Sequence, residues 1–181
     1  KYINIDYWPK SYNVNKDIYN QKNKVNAISF FSGAGGLDIG SQLANCKVIA
    51  CLDSDQDSIS TIKSNKFFRH AKHICAKIQD YSALDFENAI KKNNPEKLIL
   101  LGGPPCQPFS KAGYWQTHEK RLGANDPRNM IGQYLRLIED IKPDGFVLEN
   151  VESIMHPKNL EVVEIIEEFI DKQGFNFIRV K

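Results

Sequence analysis

A cysteine at the end of a rigid turn is the first residue of this sequence whose position suggests chemistry. Residues 98–101 form a short apolar run of strand length, and two glycines and two prolines separate it from Cys106. In an open α/β sheet, ligands bind outside the carboxyl ends of the strands. Cys106 is therefore a candidate nucleophile, with a buried structural cysteine after a turn as the alternative.

A glycine-rich turn over residues 30–37, FFSGAGGL, joins a strand candidate to a helix candidate. Glycines allow positive φ and a close approach of the backbone to a ligand, and the helix start offers free N–H groups. Such a turn can hold a dinucleotide pyrophosphate or the amino-acid part of S-adenosylmethionine. The spacing is not G-x-G-x-x-G, which weakens the pyrophosphate interpretation. An ordinary tight turn is the alternative.

An acidic residue ends the next strand candidate. At this place in a nucleotide-binding βαβ unit, Asp53 can accept hydrogen bonds from both ribose hydroxyls. Asp53 and Asp55 also precede a helix candidate, whose N-terminus favours carboxylates. The pattern favours the ribose role for Asp53 and the helix role for Asp55.

The composition is that of one globular domain. The chain has 181 residues, of which 41% are hydrophobic and 25% charged, and its net charge of +2 indicates no nucleic-acid partner by itself. Its four cysteines contain no C-x-x-C pair, which argues against zinc and against a disulfide framework. The apolar runs are too short to span a bilayer. We expect a cytoplasmic protein without a metal.

The elements that must position these residues alternate between strand and helix patterns. Alternation of this kind predicts βαβ units, a mostly parallel sheet with helices on both faces, and a Rossmann-like α/β domain. The predicted strands cover residues 25–31, 48–52, 74–78, 98–101, 146–148 and 175–180. The predicted helices cover residues 37–44, 56–64, 83–92, 129–141 and 160–170.

Two regions are expected along the chain. Residues 1–24 form an irregular N-terminal arm, held to the body by Tyr7, Trp8 or Tyr12, and residues 25–181 form the catalytic domain. Because the chain begins with Lys1 rather than methionine, we expect it to be part of something longer.

Four motifs in one order resemble the cytosine-C5 DNA methyltransferases. Residues 31–37 are similar to that family's first cofactor motif, and residues 103–110, GPPCQPFS, resemble its catalytic motif. Residues 126–129 resemble the short motif after the catalytic loop, and residues 149–151 resemble the motif that carries the catalytic acid. The resemblance implies a Rossmann-like fold dependent on S-adenosylmethionine.

The resemblance also assigns chemistry. The Cys106 thiolate adds to C6 of cytosine, so that C5 can accept a methyl group from S-adenosylmethionine. Glu149 supplies or shares a proton at N3, provided that burial raises its pKa. Asn150 holds local backbone. The target base must be flipped out of double-stranded DNA.

Other site residues follow by the same resemblance. The expected DNA-facing residues are Gln107, Ser110 and Arg128, and residues 111–125 form the loop that closes over DNA. The expected cofactor pocket is lined by Phe31, Gly33, Gly35, Leu37, Asp53, Pro105 and Ile131.

The sequence departs from the family at several positions. Lys77 stands where the family has an aspartate that accepts from the adenine amino group, and Asp80 is a candidate substitute. Ser54 stands where a bulkier side chain often packs on adenine. The target-recognition region and the last cofactor motifs are absent, so we expect a second polypeptide or a truncated remainder and an inactive isolated chain. An RNA cytosine methyltransferase and a non-catalytic binding module are the alternatives.

Overall fold

A computed structural model describes residues 2–3, 25–105 and 130–180 of the chain. Strands and helices alternate through these residues, and short 3₁₀ turns join several of them. The strands are β1 (Tyr2–Ile3), β2 (Val25–Phe30), β3 (Cys46–Asp53), β4 (Lys72–Cys75), β5 (Lys97–Gly102), β6 (Gly145–Leu148) and β7 (Arg179–Val180). The α-helices are α1 (Gly36–Leu43), α2 (Gln56–Ser64), α3 (Glu87–Asn93), α4 (Met130–Ile141) and α5 (Leu160–Gln173).

Five of the strands form one parallel sheet in the order β4-β3-β2-β5-β6. The chain runs outward from β2 to β3 and β4 on one side, and then returns to place β5 and β6 on the other. The strand order therefore reverses beside β2, and a ligand crevice is expected outside the carboxyl ends at this reversal. The sheet confirms the predicted Rossmann-like α/β class.

The side chains of β2 alternate between two apolar layers, as the two-residue period of a strand requires. Ile28 and Phe30 belong to the larger core cluster, which also contains buried side chains of α4 and α5. Ala27 faces the smaller cluster, where Ile62 of α2 and Phe68 pack. Helices thus cover both faces of the sheet.

The carboxyl end of β5 is packed directly against α4. Tyr134 is fully buried, and its hydroxyl donates to the carbonyl of Val147 in β6 at 2.9 Å. A Cβ atom added to Gly102 would lie 2.6 Å from the Tyr134 ring. Glycine at this position therefore allows the helix to lie close to the strand end.

The C-terminal region differs from the sequence prediction. The expected strand over residues 175–180 shortens to β7, which pairs in parallel with β1. Gly174 adopts a φ of 74° and caps α5, and the Phe175 N–H donates to the Ile170 carbonyl at 3.0 Å. Phe175 also packs edge-on against Phe146, with ring centroids 5.2 Å apart. The helix cap and this aromatic contact hold the start of the predicted strand in another conformation.

The predicted anchors of the N-terminal arm, Tyr7, Trp8 and Tyr12, lie outside the described residues, and the division at residue 24 stays a prediction. None of the described helices combines the length and apolar character needed to cross a membrane.

We expect Gly102→Ala to lower the free energy of unfolding by about 1–3 kcal/mol, because the added methyl group overpacks the Tyr134 contact. The matched control is Gly40→Ala within α1, where an added Cβ meets no heavy atom within 4 Å. That control should raise stability by up to about 1 kcal/mol through helix propensity. Urea unfolding of both variants measures the difference, and equal effects would contradict the packing account.

Candidate active site

The glycine turn after β2 is built from three residues in the left-handed region of φ. Phe31, Gly33 and Gly35 have φ values of 55°, 52° and 90°. Phe31 carries the strain that a side chain incurs in this region. Gly35 is also close-packed, because an added Cβ would lie 3.1 Å from Ile62 and 3.3 Å from Phe68. The turn thus needs glycine for both conformation and space.

Asp53 fixes this turn. Its Oδ2 accepts from the Gly33 N–H at 2.8 Å, and its Oδ1 accepts from the Asp55 N–H at 2.9 Å. Asp55 is the N-cap of α2 and accepts from the Ser58 N–H at 2.8 Å. The helix role expected for Asp55 is therefore confirmed. The Asp53 carboxylate instead bonds to the glycine turn.

A cleft of about 210 Å³ opens at the carboxyl ends of β2, β3 and β4. It combines apolar walls with one carboxylate, one hydroxyl, one amine and one amide group. Its lining residues are Phe31, Leu52, Asp53, Ser54, Ala76, Lys77, Ile78, Gln79 and Met130.

Some of the predicted cofactor residues line this cleft and others pack elsewhere. Phe31 and Asp53 line it, and the Gly33 N–H is bonded to Asp53. Leu37 packs instead against the smaller core cluster on the α1 side of the sheet. Ile131 is 2% exposed within the larger core, and its neighbour Met130 lines the cleft.

The ends of β5 and β6 form a second part of the site. The Glu149 N–H donates to the Gly102 carbonyl at 2.8 Å, and the Asn150 amide donates to the Pro104 carbonyl at 2.9 Å. The local-backbone role expected for Asn150 is thereby confirmed. An added Cβ on Gly103 would lie 3.1 Å from Glu149 Oε2, so the carboxylate lies directly beside this turn.

Glu149 is exposed, so the described part of the chain does not supply the burial that the sequence expectation required. Pro105, also exposed, is the last described residue before the catalytic motif continues. The predicted nucleophile and DNA-facing residues, Cys106, Gln107, Ser110 and Arg128, lie outside the described residues and stay predictions.

Comparison with known proteins identifies the family. The profile of the C-5 cytosine-specific DNA methylase family matches residues 25–179. The chain belongs to this family.

Individual relatives agree with this C-5 cytosine-specific DNA methylase assignment. The type II methyltransferase M.SacI of Streptomyces achromogenes is 30% identical over 82% of this chain and 40% of its own length. The type II methyltransferase M.FnuDI of Fusobacterium nucleatum is 34% identical over 84% of this chain and 40% of its own length. The structure of an E. coli prophage protein described as a DNA modification methyltransferase superposes with a TM-score of 0.64 at 28% identity, covering 82% of this chain and 38% of that one. The chain thus spans about 40% of these relatives.

Sequence reasoning missed a buried polar group beneath the glycine turn of this methylase domain. Asp38 in α1 is 0% exposed, and its Oδ1 accepts from the Cys51 thiol at 3.5 Å. Its Oδ2 has no partner among the described residues. Burial raises the pKa of Asp38 above its ordinary value of 3.8. Because Asp38 falls on the inward face of a helix only eight residues long, the pattern around it gave no signal.

Sequence reasoning also missed Arg136 in α4. Its guanidinium donates to the carbonyls of Ile78 at 3.2 Å and Tyr81 at 2.9 Å. It is held in turn by Gln133 at 3.0 Å and Asp140 at 3.2 Å. Arg136 therefore clamps the 3₁₀ turn Ile78–Asp80, which carries one wall of the cleft.

Two of the thiols in the described part of the chain are buried. Burial raises the pKa of Cys46 to about 11 and that of Cys51 further, which keeps both as neutral thiols. No cluster of three metal-ligating His, Cys, Asp or Glu side chains lies within residues 25–105 and 130–180.

The raised pKa of Asp38 predicts a specific dependence of stability on pH. Between the unfolded and folded pKa values, the folded protein binds more protons than the unfolded chain, so stability falls as pH rises through this window. Asp38→Asn cannot ionise. The free energy of unfolding of the wild-type protein, relative to that of D38N, should therefore decrease as pH rises above 3.8.

Urea unfolding at a series of pH values measures this difference. Asp55→Asn is the matched control, because hydrogen bonds from Ser58 lower the pKa of Asp55 and give a dependence of opposite sign. Parallel profiles for the wild-type protein and D38N would contradict a raised pKa at the buried Asp38.

Proposed function

We propose that this domain transfers a methyl group from S-adenosylmethionine to C5 of a cytosine in double-stranded DNA, within a restriction–modification system. The proposal rests on the family and on relatives named as type II methyltransferases. The structural observation that carries it is the bonding of the β6 end to the β5 end. This contact holds Glu149 beside the turn that leads to Cys106.

Cys106 acts as the nucleophile in this proposal. Its thiolate forms a bond to C6 of the cytosine, and the C5–C6 double-bond electrons move into the ring toward N3. C5 gains the electron density that it lacks in the aromatic ring, so one difficult step becomes two easier ones. After methylation, a water molecule takes the C5 proton, the C5–H electrons re-form the C5–C6 double bond, and the C6–S pair leaves with sulfur to regenerate the thiolate.

Glu149 acts as the acid. As negative charge develops at N3, its carboxyl group donates a proton there and recovers it when Cys106 leaves. Glu149 is exposed in the structure, and a flipped base stacked over it would exclude water from the carboxyl group during proton transfer.

The cleft beside Asp53 fits the proposed cofactor. S-adenosylmethionine, when bound, supplies an electrophilic methyl group on a sulfonium. The two Asp53 oxygens each accept one backbone N–H and retain a second acceptor site for a ribose hydroxyl. The Phe31 ring and the apolar side chains of the lining offer a surface for a purine.

The region that recognises the DNA sequence is proposed to lie outside residues 1–181. The chain spans about 40% of its relatives, and the described sheet has β6 at one edge with a strand partner on one side. We propose that a second polypeptide or a continuation of the chain supplies recognition, that residues 1–181 alone are inactive, and that the enzyme acts on cytoplasmic DNA.

Covalent trapping tests the nucleophile. Fluorine at C5 of 5-fluorocytosine cannot leave as a proton, so methylation should leave Cys106 bonded to the DNA. With S-adenosylmethionine and the remaining part of the domain supplied, a denaturing gel should show a complex with the wild-type chain and none with Cys106→Ala. The chain alone should give none. Absence of the complex in the completed protein would contradict the proposed chemistry, and an RNA substrate trapped in preference to DNA would contradict the DNA assignment.

The rate of trapping tests the acid. Glu149→Gln can donate a hydrogen bond but cannot transfer a proton, so we expect the adduct to form about 10²-fold or more slowly. Glu152→Gln changes another exposed carboxylate three residues along the chain and should leave the rate within twofold. Equal trapping rates for the two variants would show that Glu149 does not act as the acid.

A further inference from the structure

We infer that Gln79 recognises the 6-amino edge of the cofactor's adenine. The inference rests on the proposed use of S-adenosylmethionine and goes beyond it by naming the residue that selects the base. The assignment is supported by the chemistry of the cleft lining, by the position of the Gln79 amide, and by the hydrogen bonds from Arg136 that hold its turn.

The chemistry of the lining singles out Gln79. The edge of adenine offers a donor, the 6-amino group, beside an acceptor, a ring nitrogen. A glutamine amide offers an acceptor beside two donors in one plane, which is the pairing that proteins use for adenine edges. Lys77 only donates and cannot accept from the amino group. Among the described residues lining the cleft, Gln79 carries the planar group with both functions.

The position of Gln79 fits this role better than that of Asp80. Gln79 lines the cleft, whereas Asp80 does not belong to the lining. The Gln79 Nε2 atom lies 3.6 Å from the sulfur of Met130, another lining residue. A thioether is a weak acceptor, so the amide can exchange this contact for a stronger one to a ligand at little cost.

The backbone around Gln79 is held on both sides. Arg136 binds the carbonyls of Ile78 and Tyr81, the residue before Gln79 and the second residue after it. Ile78 is also 2% exposed and packs in the larger core. The turn is therefore fixed before a ligand arrives, and a preorganised group loses less entropy on binding.

A pair of ligands isolates this contact. The first is S-adenosyl-L-homocysteine, and the second is the same compound with hydrogen in place of the purine 6-amino group. The ligands are titrated calorimetrically into the chain with the remaining part of the domain supplied. The wild-type protein should bind the amino compound about tenfold more tightly, which corresponds to one net hydrogen bond of about 1.4 kcal/mol.

Two variants complete the test. Gln79→Leu keeps the approximate size of the side chain and removes its hydrogen-bonding groups, so it should bind the two ligands equally. Asp80→Asn is the matched control on the neighbouring residue and should keep the tenfold preference. Because residues 79 and 80 are exposed, both variants should fold, and circular dichroism checks this.

The outcomes separate the inference from the function on which it rests. Retention of the preference by Q79L, or its loss in D80N, would overturn the role of Gln79. Binding of both ligands by the wild-type protein without preference would overturn it too, while leaving the cofactor proposal standing. Failure of the wild-type protein to bind either ligand would overturn both.

Discussion

Asp53 is the residue on which the geometry of the cleft depends, because it bonds to all three loops that border it. Its carboxylate accepts from the N–H groups of Gly33, after β2, and Asp55, after β3. Its own carbonyl accepts from the Ala76 N–H, after β4, at 2.9 Å. Parallel strands bring their carboxyl ends to one edge of a sheet, but they do not set the path of the loops beyond. In this domain one acidic residue joins them.

A group of polar side chains is buried beneath the glycine turn, where burial disfavours a charge. Ser29, Ser32, Asp38 and Cys51 are all buried there, and Ser32 Oγ donates to Ser29 Oγ at 3.1 Å. An ionised carboxylate in such a place would need a partner for each oxygen. Burial accordingly raises the pKa of Asp38, which makes its neutral form easier to reach than in water.

The other half of the site depends on a close approach between backbone elements. Gly102 allows the Tyr134 ring to lie against the end of β5, and the Tyr134 hydroxyl reaches β6. Beyond this contact, Glu149 bonds to the last residue of β5, Gly102, and Asn150 bonds to Pro104 in the turn that follows. Helix α4 and the end of β6 therefore set the direction in which the chain leaves β5 and enters the catalytic motif.

The sequence by itself determined the parallel α/β fold and the family. Strand and helix periods are local patterns, and the catalytic motif is a contiguous run of residues, so neither requires knowledge of distant contacts. It also indicated Asp55 as a helix cap and Asn150 as a backbone support. Only the tertiary structure decided that Met130 rather than Ile131 lines the cleft, since the rotation of α4 follows from its packing. The place of Gln79, the clamp by Arg136 and the burial of Asp38 were decided in the same way. Arg136 bonds to residues more than 50 positions away in the chain, and no local pattern records a contact between residues so far apart.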